Sequence, residues 1–189
     1  TAATAEWCGP YRVDADLGAT DQGRLQRGWD PQLQRPVWIH RVPADANAVS
    51  GVVRNVSRAA RLHWLNGHRG PEGGWDAYDA LDGQPLLALT EPKPWSTVSP
   101  WLADLAHELA AAVDDGSMDA VDLTRVWVTV DGRGKLLPFS ALGPPPTVDP
   151  PRLDATSGQQ LLQACAAAAL GTHTEPLPLG VSRCLRALE

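Results

Sequence analysis

The pattern of this chain changes character at Glu91–Pro94, and that change limits the folds open to it. Before the break, apolar residues come in short runs parted by turn formers. Tyr11 to Leu17 alternates apolar and polar side chains, as a half-buried strand does. Gly18 to Gly23 is turn-rich, Arg24 to Trp29 reads as the returning strand of a hairpin, Asp30-Pro31 breaks it, and Pro36 to Val42 reads as a third strand. Ala48 to Leu65 sets Val49, Val52, Val53, Val56, Ala59, Ala60 and Leu62 on one helical face, with Asn66-Gly67 as the stop. Two short strands are expected near Trp75 to Ala80 and Pro85 to Leu89. After the break, Ser99-Pro100 opens a helix over Trp101 to Val113, since proline near the first turn forfeits no hydrogen bond, and Asp114-Asp115-Gly116 closes it. Asp131-Gly132 between Val126–Val130 and Gly134–Leu137 is a strong hairpin signal. Thr156 to Leu170 is an Ala-rich helix, capped by Thr156 or Ser157 and stopped by Gly171, and Val181 to Leu188 reads as one more helix. Strands first and helices later make an α+β chain in two layers.

Composition narrows the function classes. The 189 residues fit one domain, and 43% hydrophobic content fills a core. With 16 basic and 22 acidic side chains the formal charge is −6, which argues against non-specific nucleic-acid binding, because that requires a basic surface to displace phosphate counterions. No polybasic patch serves anionic lipid, and the longest apolar run, Leu161 to Leu170, is too short for a bilayer, so no membrane contact is expected of this segment itself. Cys8, Cys165 and Cys184 are far apart and odd in number, neither a disulfide framework nor a C-x-x-C metal pair. They fit a reducing compartment, and the expected location is cytoplasmic, for a free domain or for the cytosolic part of a larger membrane protein. Eight tryptophans against one phenylalanine read as core filling, although Trp also anchors binding surfaces.

Six segments then bear on chemistry. Tyr11-Arg12-Val13 to Leu17-Gly18 leads into Gly18-Ala19-Thr20-Asp21-Gln22-Gly23, which has the first and third glycines of G-x-G-x-x-G and Thr20 in place of the middle one. Asp30 to His40 ends in a strand resembling V-A-I-K, Val52 to Leu62 follows as a helix, Gly116 to Ala120 has the place of a catalytic loop, and Asp131 to Ser140 forms a hairpin running toward the place of D-F-G. In this order the segments resemble a bacterial Hanks-type Ser/Thr protein-kinase domain over about residues 11 to 170. The resemblance implies a two-lobed kinase-like fold, with a five-stranded antiparallel N-lobe sheet and one helix over residues 1–92. A reduced, mostly helical C-lobe spans 93–189, and the two lobes make one domain.

The same resemblance places the kinase's charged positions on residues that cannot do their work. Phosphoryl transfer is largely positioning and electrostatics, so a few groups decide it. The phosphate-binding lysine falls on His40, its glutamate partner on Asn55, the catalytic aspartate on Ala120, the magnesium-binding asparagine on Arg125 and the D-F-G aspartate on Pro138. Trp38 stands where a small alanine leaves room for adenine, and close-packed interiors do not absorb an indole cheaply. The expectation is a pseudokinase that is not an enzyme: a protein-interaction or regulatory scaffold without Mg-ATP, cofactor or metal, its partner another protein or a neighbouring domain. Gly18 and Gly23 motivate the alternative, a pseudokinase that senses a nucleotide or small ligand without metal, since backbone N–H groups still meet a phosphate. An altered chemistry would have only His40, Arg125 and Asp114-Asp115, with no nucleophile–base set. His63, His68 and His107 lack metal-ligand spacing. Asp114, Asp115, Asp119 and Asp122 read as turn carboxylates. The proline run from Gly143 to Pro151 reads as a spacer in the place of an activation loop, with a polyproline ligand as the other reading.

Overall fold

The computed structural model of the chain describes residues 6–142 and 149–171. Most of the proline run, Cys184 and the expected helix at 181–188 lie outside the described residues.

The first layer is an antiparallel sheet of six strands, where five were expected. They are β1 (Trp7–Cys8), β2 (Tyr11–Ala19), β3 (Arg24–Asp30), β4 (Arg35–Val42), β5 (Trp64–Gly70) and β6 (Gly73–Asp79), in the order β1-β2-β3-β4-β6-β5. The turn at Asp30 forms because its carboxylate accepts the N–H groups of Gln32 and Leu33. Strand β4 is central and covered on both faces. Val37 and Ile39 pack with Cys8, Tyr11 and Ala77 on one side. Trp38 points the other way and packs with Leu25, Tyr78, Trp127 and Phe139.

The helix expected over Ala48 to Leu65 is corrected to a single turn, α1 (Gly51–Arg54), capped by Ser50 and ended at Asn55. The chain then runs extended. Leu62 N–H donates to the Leu136 carbonyl and Leu136 N–H to the Ala60 carbonyl, with Arg61 bridged in parallel to Leu136. Val56, Ala60 and Leu62 are buried along this extended path while Val52 stays exposed, so the apolar spacing serves an extended segment. Asn66-Gly67 lies inside β5 and ends nothing.

The second layer holds β7 (Gln84–Pro85), β8 (Val126–Val128) and β9 (Gly134–Leu136), ordered β7-β8-β9, with a 3-10 turn at Leu86–Ala88 where more strand was expected. Against this sheet lie α2 (Trp95–Asp115) and α3 (Ala155–Leu170). Helix α2 begins ahead of the expected Trp101, so Pro100 stands inside it. Asp154, not Thr156, caps α3, with Ser157 completing a capping box, and Gly171 stops it in the left-handed region. The helices share one core with Leu86, Val126 and Leu136.

Candidate functional site

Between the layers lies a cavity of about 650 Å³. Four of the five degenerate positions line it: His40 from β4, Ala120 from the loop after α2, Arg125 from the turn before β8, and Pro138 after β9. The fifth, Asn55, is exposed at the end of α1 and does not line the cavity, because the helix expected to carry it inward is a single turn. Trp38 is also off the lining. Its indole is 3% exposed and meets the Trp127 ring edge-on at 4.9 Å, wedged between the layers.

The turn from Gly18 to Gly23 is fastened down onto the opposite layer. Asp21 Oδ2 accepts Arg125 Nη2 at 2.6 Å, Asp21 Oδ1 accepts the Ser140 N–H at 2.8 Å, and the Asp21 N–H donates to Ser140 Oγ at 2.7 Å. Arg125 also donates to the Pro138 carbonyl. The pair is well shielded, with Arg125 7% and Asp21 15% exposed, so water screens it weakly. Beside it Thr20 Oγ1 lies 2.8 Å from His40 Nε2, and the His40 ring stacks on Phe139 at 4.2 Å. Burial depresses the His40 pKa to about 4, against smaller opposing pulls from Asp76 and Asp21, so the imidazole is neutral at pH 7. Backbone geometry accounts for both glycines. Gly18 has φ 131°, and a Cβ on Gly23 would stand 2.0 Å from the Arg41 carbonyl oxygen.

Sequence reasoning missed the polar cluster behind this turn. Glu108 on α2 is buried and accepts Arg61 Nε at 2.7 Å, Arg58 Nε at 2.8 Å and Arg58 Nη2 at 2.9 Å. Ser117 Oγ accepts from both arginines, and Asp115 takes Arg58 as well. Burial opposes the Asp115 charge, but hydrogen bonds from Ser117 and Arg58 prevail and hold its carboxyl down to about 2. A signal was present: Glu108 falls three residues after Leu105 and four before Ala112, on the buried face of α2. A second buried carboxylate, Asp76, takes Trp64 Nε1 at 3.0 Å and Arg69 Nη2 at 2.6 Å. Of the groups considered for an altered chemistry, His40 and Arg125 share the cavity, whereas Asp115 is committed to Arg58. Asp122 caps the turn at Thr124, and His63 meets Asp79 at 3.0 Å. Among the described residues no three His, Cys, Asp or Glu side chains converge as a metal set, and no helix is long and apolar enough to cross a membrane.

A curled antiparallel sheet over a small, mostly helical layer, with the cleft between them, is the architecture of a bacterial Hanks-type kinase-like domain, reduced in its helices. The kinase domain of Mycobacterium tuberculosis PknI matches it with a TM-score of 0.66 at 18% identity, over 94% of this chain and 82% of that one. A double mutant of the same domain matches with a TM-score of 0.70 at 17% identity, over all of this chain and 89% of that one. At such identities the likeness establishes the fold. No protein-family model and no curated protein matches the chain. The structural matches correct one sequence expectation. Kinase domains share this fold over most of their length, so the expectation that the chain is not an enzyme does not stand.

Proposed function

We infer that this kinase-fold domain serves as a regulatory, protein-binding module, and that its cleft does not take Mg-ATP. The observation that carries this reading is the fastening of the glycine turn. In a kinase that turn covers the phosphates, and the groups across from it hold magnesium. Here Asp21, from the turn, is bonded to Arg125 and Ser140, at and beside the positions where metal ligands are expected. A protein ion pair occupies the gap that a metal–triphosphate needs. Arg125 adds a cation where magnesium would sit, and Ala120 and Pro138 offer it no carboxylate. Trp38 reinforces this by filling the space toward Trp127. The partner is another protein or a neighbouring domain. A metal-free nucleotide sensor gains nothing from Gly18 and Gly23, since the backbone already requires both.

The test is a titration of the purified domain with ATP and ADP, with and without magnesium, read by thermal unfolding and calorimetry. A ligand at 100 times its Kd stabilises by about 2.7 kcal/mol, well within reach of such a measurement. The expected response is flat. A saturable, magnesium-dependent shift, or heat-sensitive transfer of labelled phosphate from ATP to this chain or to a protein acceptor, overturns the reading.

A further inference from the structure

Outside the cleft, a groove of about 490 Å³ lies between α2 and α3. Its walls are two helical rows: Ala106, Ala110 and Val113 of α2, at i, i+4 and i+7, and Ala155, Gly158 and Leu162 of α3, at i, i+3 and i+7. Val113 is 42% exposed there, and Ala110 and Ala155 are exposed as well. Helix α3 has no charged side chain in its 16 residues, which suits a helix covered on more than one side.

The chain carries a matching surface just downstream. Past α3, outside the described residues, the sequence sets Val181, Cys184, Leu185 and Leu188 at i, i+3, i+4 and i+7, with Arg183 and Arg186 on the opposite face. As a helix this stripe is about 10 Å long, the same span as the row from Ala106 to Val113. The tether is long enough. Lys93 N–H donates to the Ala169 carbonyl, so the start of α2 lies by the end of α3 and the two helices run antiparallel. The groove forms at their other ends, from the later half of α2 and the earlier half of α3. From Gly171 back to Gly158 is about 20 Å along the helix, and residues 172–180 can extend to about 30 Å. Pro176, Pro178 and Gly180 suit that stretch to a connector.

We propose that residues 181–188 of this same chain dock as a short amphipathic helix in the α2–α3 groove, with Val181, Cys184, Leu185 and Leu188 inward, and complete the reduced second layer. A helix of this length is marginal alone in water, so it orders against the groove. While docked, it also withholds the groove from any partner protein. The inference goes beyond the reading of the cleft and does not depend on it.

The experiment adds cysteines to the full chain, one at a time, with Cys184 as reporter, since Cys8 and Cys165 are 4% and 2% exposed. Ala106→Cys, Ala110→Cys and Val113→Cys line the groove. Val130→Cys, at a residue 79% exposed in the β8–β9 turn, is the control. A disulfide needs its Cα atoms within about 7 Å. In a glutathione redox buffer, with disulfides mapped by mass spectrometry, at least one groove cysteine should pair with Cys184 of the same chain at least tenfold faster than the control. Leu185→Asp should cancel that preference. Without an added cysteine, it should also make Cys184 react at least tenfold faster with dithionitrobenzoate, while Cys8 and Cys165 stay unreactive and so report an intact fold. Equal pairing at groove and control positions, disulfides formed only between two chains, or a Cys184 thiol as reactive in the parent chain as in Leu185→Asp overturns the proposal.

Discussion

Replacing Glu108 by Gln tests the energetics of the cluster that joins the two layers. The Glu108 side chain is 1% exposed and that of Arg61 3%, which puts the pair in the desolvated regime, where removing one partner strands the other's charge. Such losses run to about 3–5 kcal/mol, against about 0–1 kcal/mol for exposed pairs. Arg58 softens the effect, being 28% exposed and keeping Asp115, and Gln retains one acceptor oxygen, so the lower end applies, about 3 kcal/mol. In a domain of this size that lowers Tm by about 6–12 °C. Urea unfolding followed by circular dichroism reads the difference directly. Two controls separate charge from packing. Asp16→Asn breaks a solvent-exposed pair with Arg24 and should leave the midpoint unmoved. Glu108→Leu combined with Arg61→Met removes both charges and should recover most of the loss, since apolar residues of similar volume replace buried pairs at little cost. A loss below about 1 kcal/mol in Glu108→Gln, or a double variant less stable than Glu108→Leu alone, would refute the argument that this carboxylate is desolvated and holds the arginines.

Three further outcomes follow from single groups. Trp38→Ala should cost about 3–5 kcal/mol in chemical denaturation, as large-to-small changes at closed sites do; a loss under about 1 kcal/mol would mean the indole is not wedged against Trp127. His40 stays neutral in the fold down to about pH 4 but protonates near 6.5 when unfolded. The unfolded state thus binds the extra proton across that window, and the His40 contribution, fully present above pH 6.5, is lost as pH falls toward 4, to a maximum of about 3 kcal/mol. His40→Gln should flatten the stability profile between those values, and an unchanged slope would remove the burial argument. Gly83 has φ 107°, and a Cβ there would lie 2.1 Å from the Val128 carbonyl oxygen, so Gly83→Ala should lower stability by about 1–3 kcal/mol and loosen amide protection in β7, measured by hydrogen exchange.

The parts of the fold legible in the sequence are those whose signals are local. Asp131-Gly132 announces the β8–β9 hairpin, Gly171 ends α3, and the alternation in Tyr11 to Leu17 and the apolar stretch Pro36 to Val42 mark β2 and β4. The misread segment, Ala48 to Leu65, has apolar residues at spacings that suit a helix, but it is rich in β-branched valine and its burial is decided by partners far along the chain. Leu136 pairs with Ala60 and Leu62, and Glu108 draws Arg58 and Arg61 inward. No local window contains that information. The cleft divides in the same way. His40, Ala120, Arg125 and Pro138 were found from an ordered series of motifs and do share one cavity. Asn55 fell outside because its place depended on the missing helix. The bond from Asp21 to Arg125 was hidden because it joins residues 104 positions apart whose sequences carry no mutual mark.

The extended stretch at Ala60 to Leu62 has a consequence for how this molecule is made. Its hydrogen-bonding partner, β9, comes roughly 75 residues later in the chain, and β7 likewise awaits β8. During synthesis the first sheet can close on itself as soon as β6 leaves the ribosome, but its inner face and the 60–62 edge stay open until Leu136 emerges. At about 5–20 residues per second that is an interval of several seconds with a bare strand and a raw apolar surface, the period in which a nascent chain is most exposed to aggregation and most in need of a chaperone.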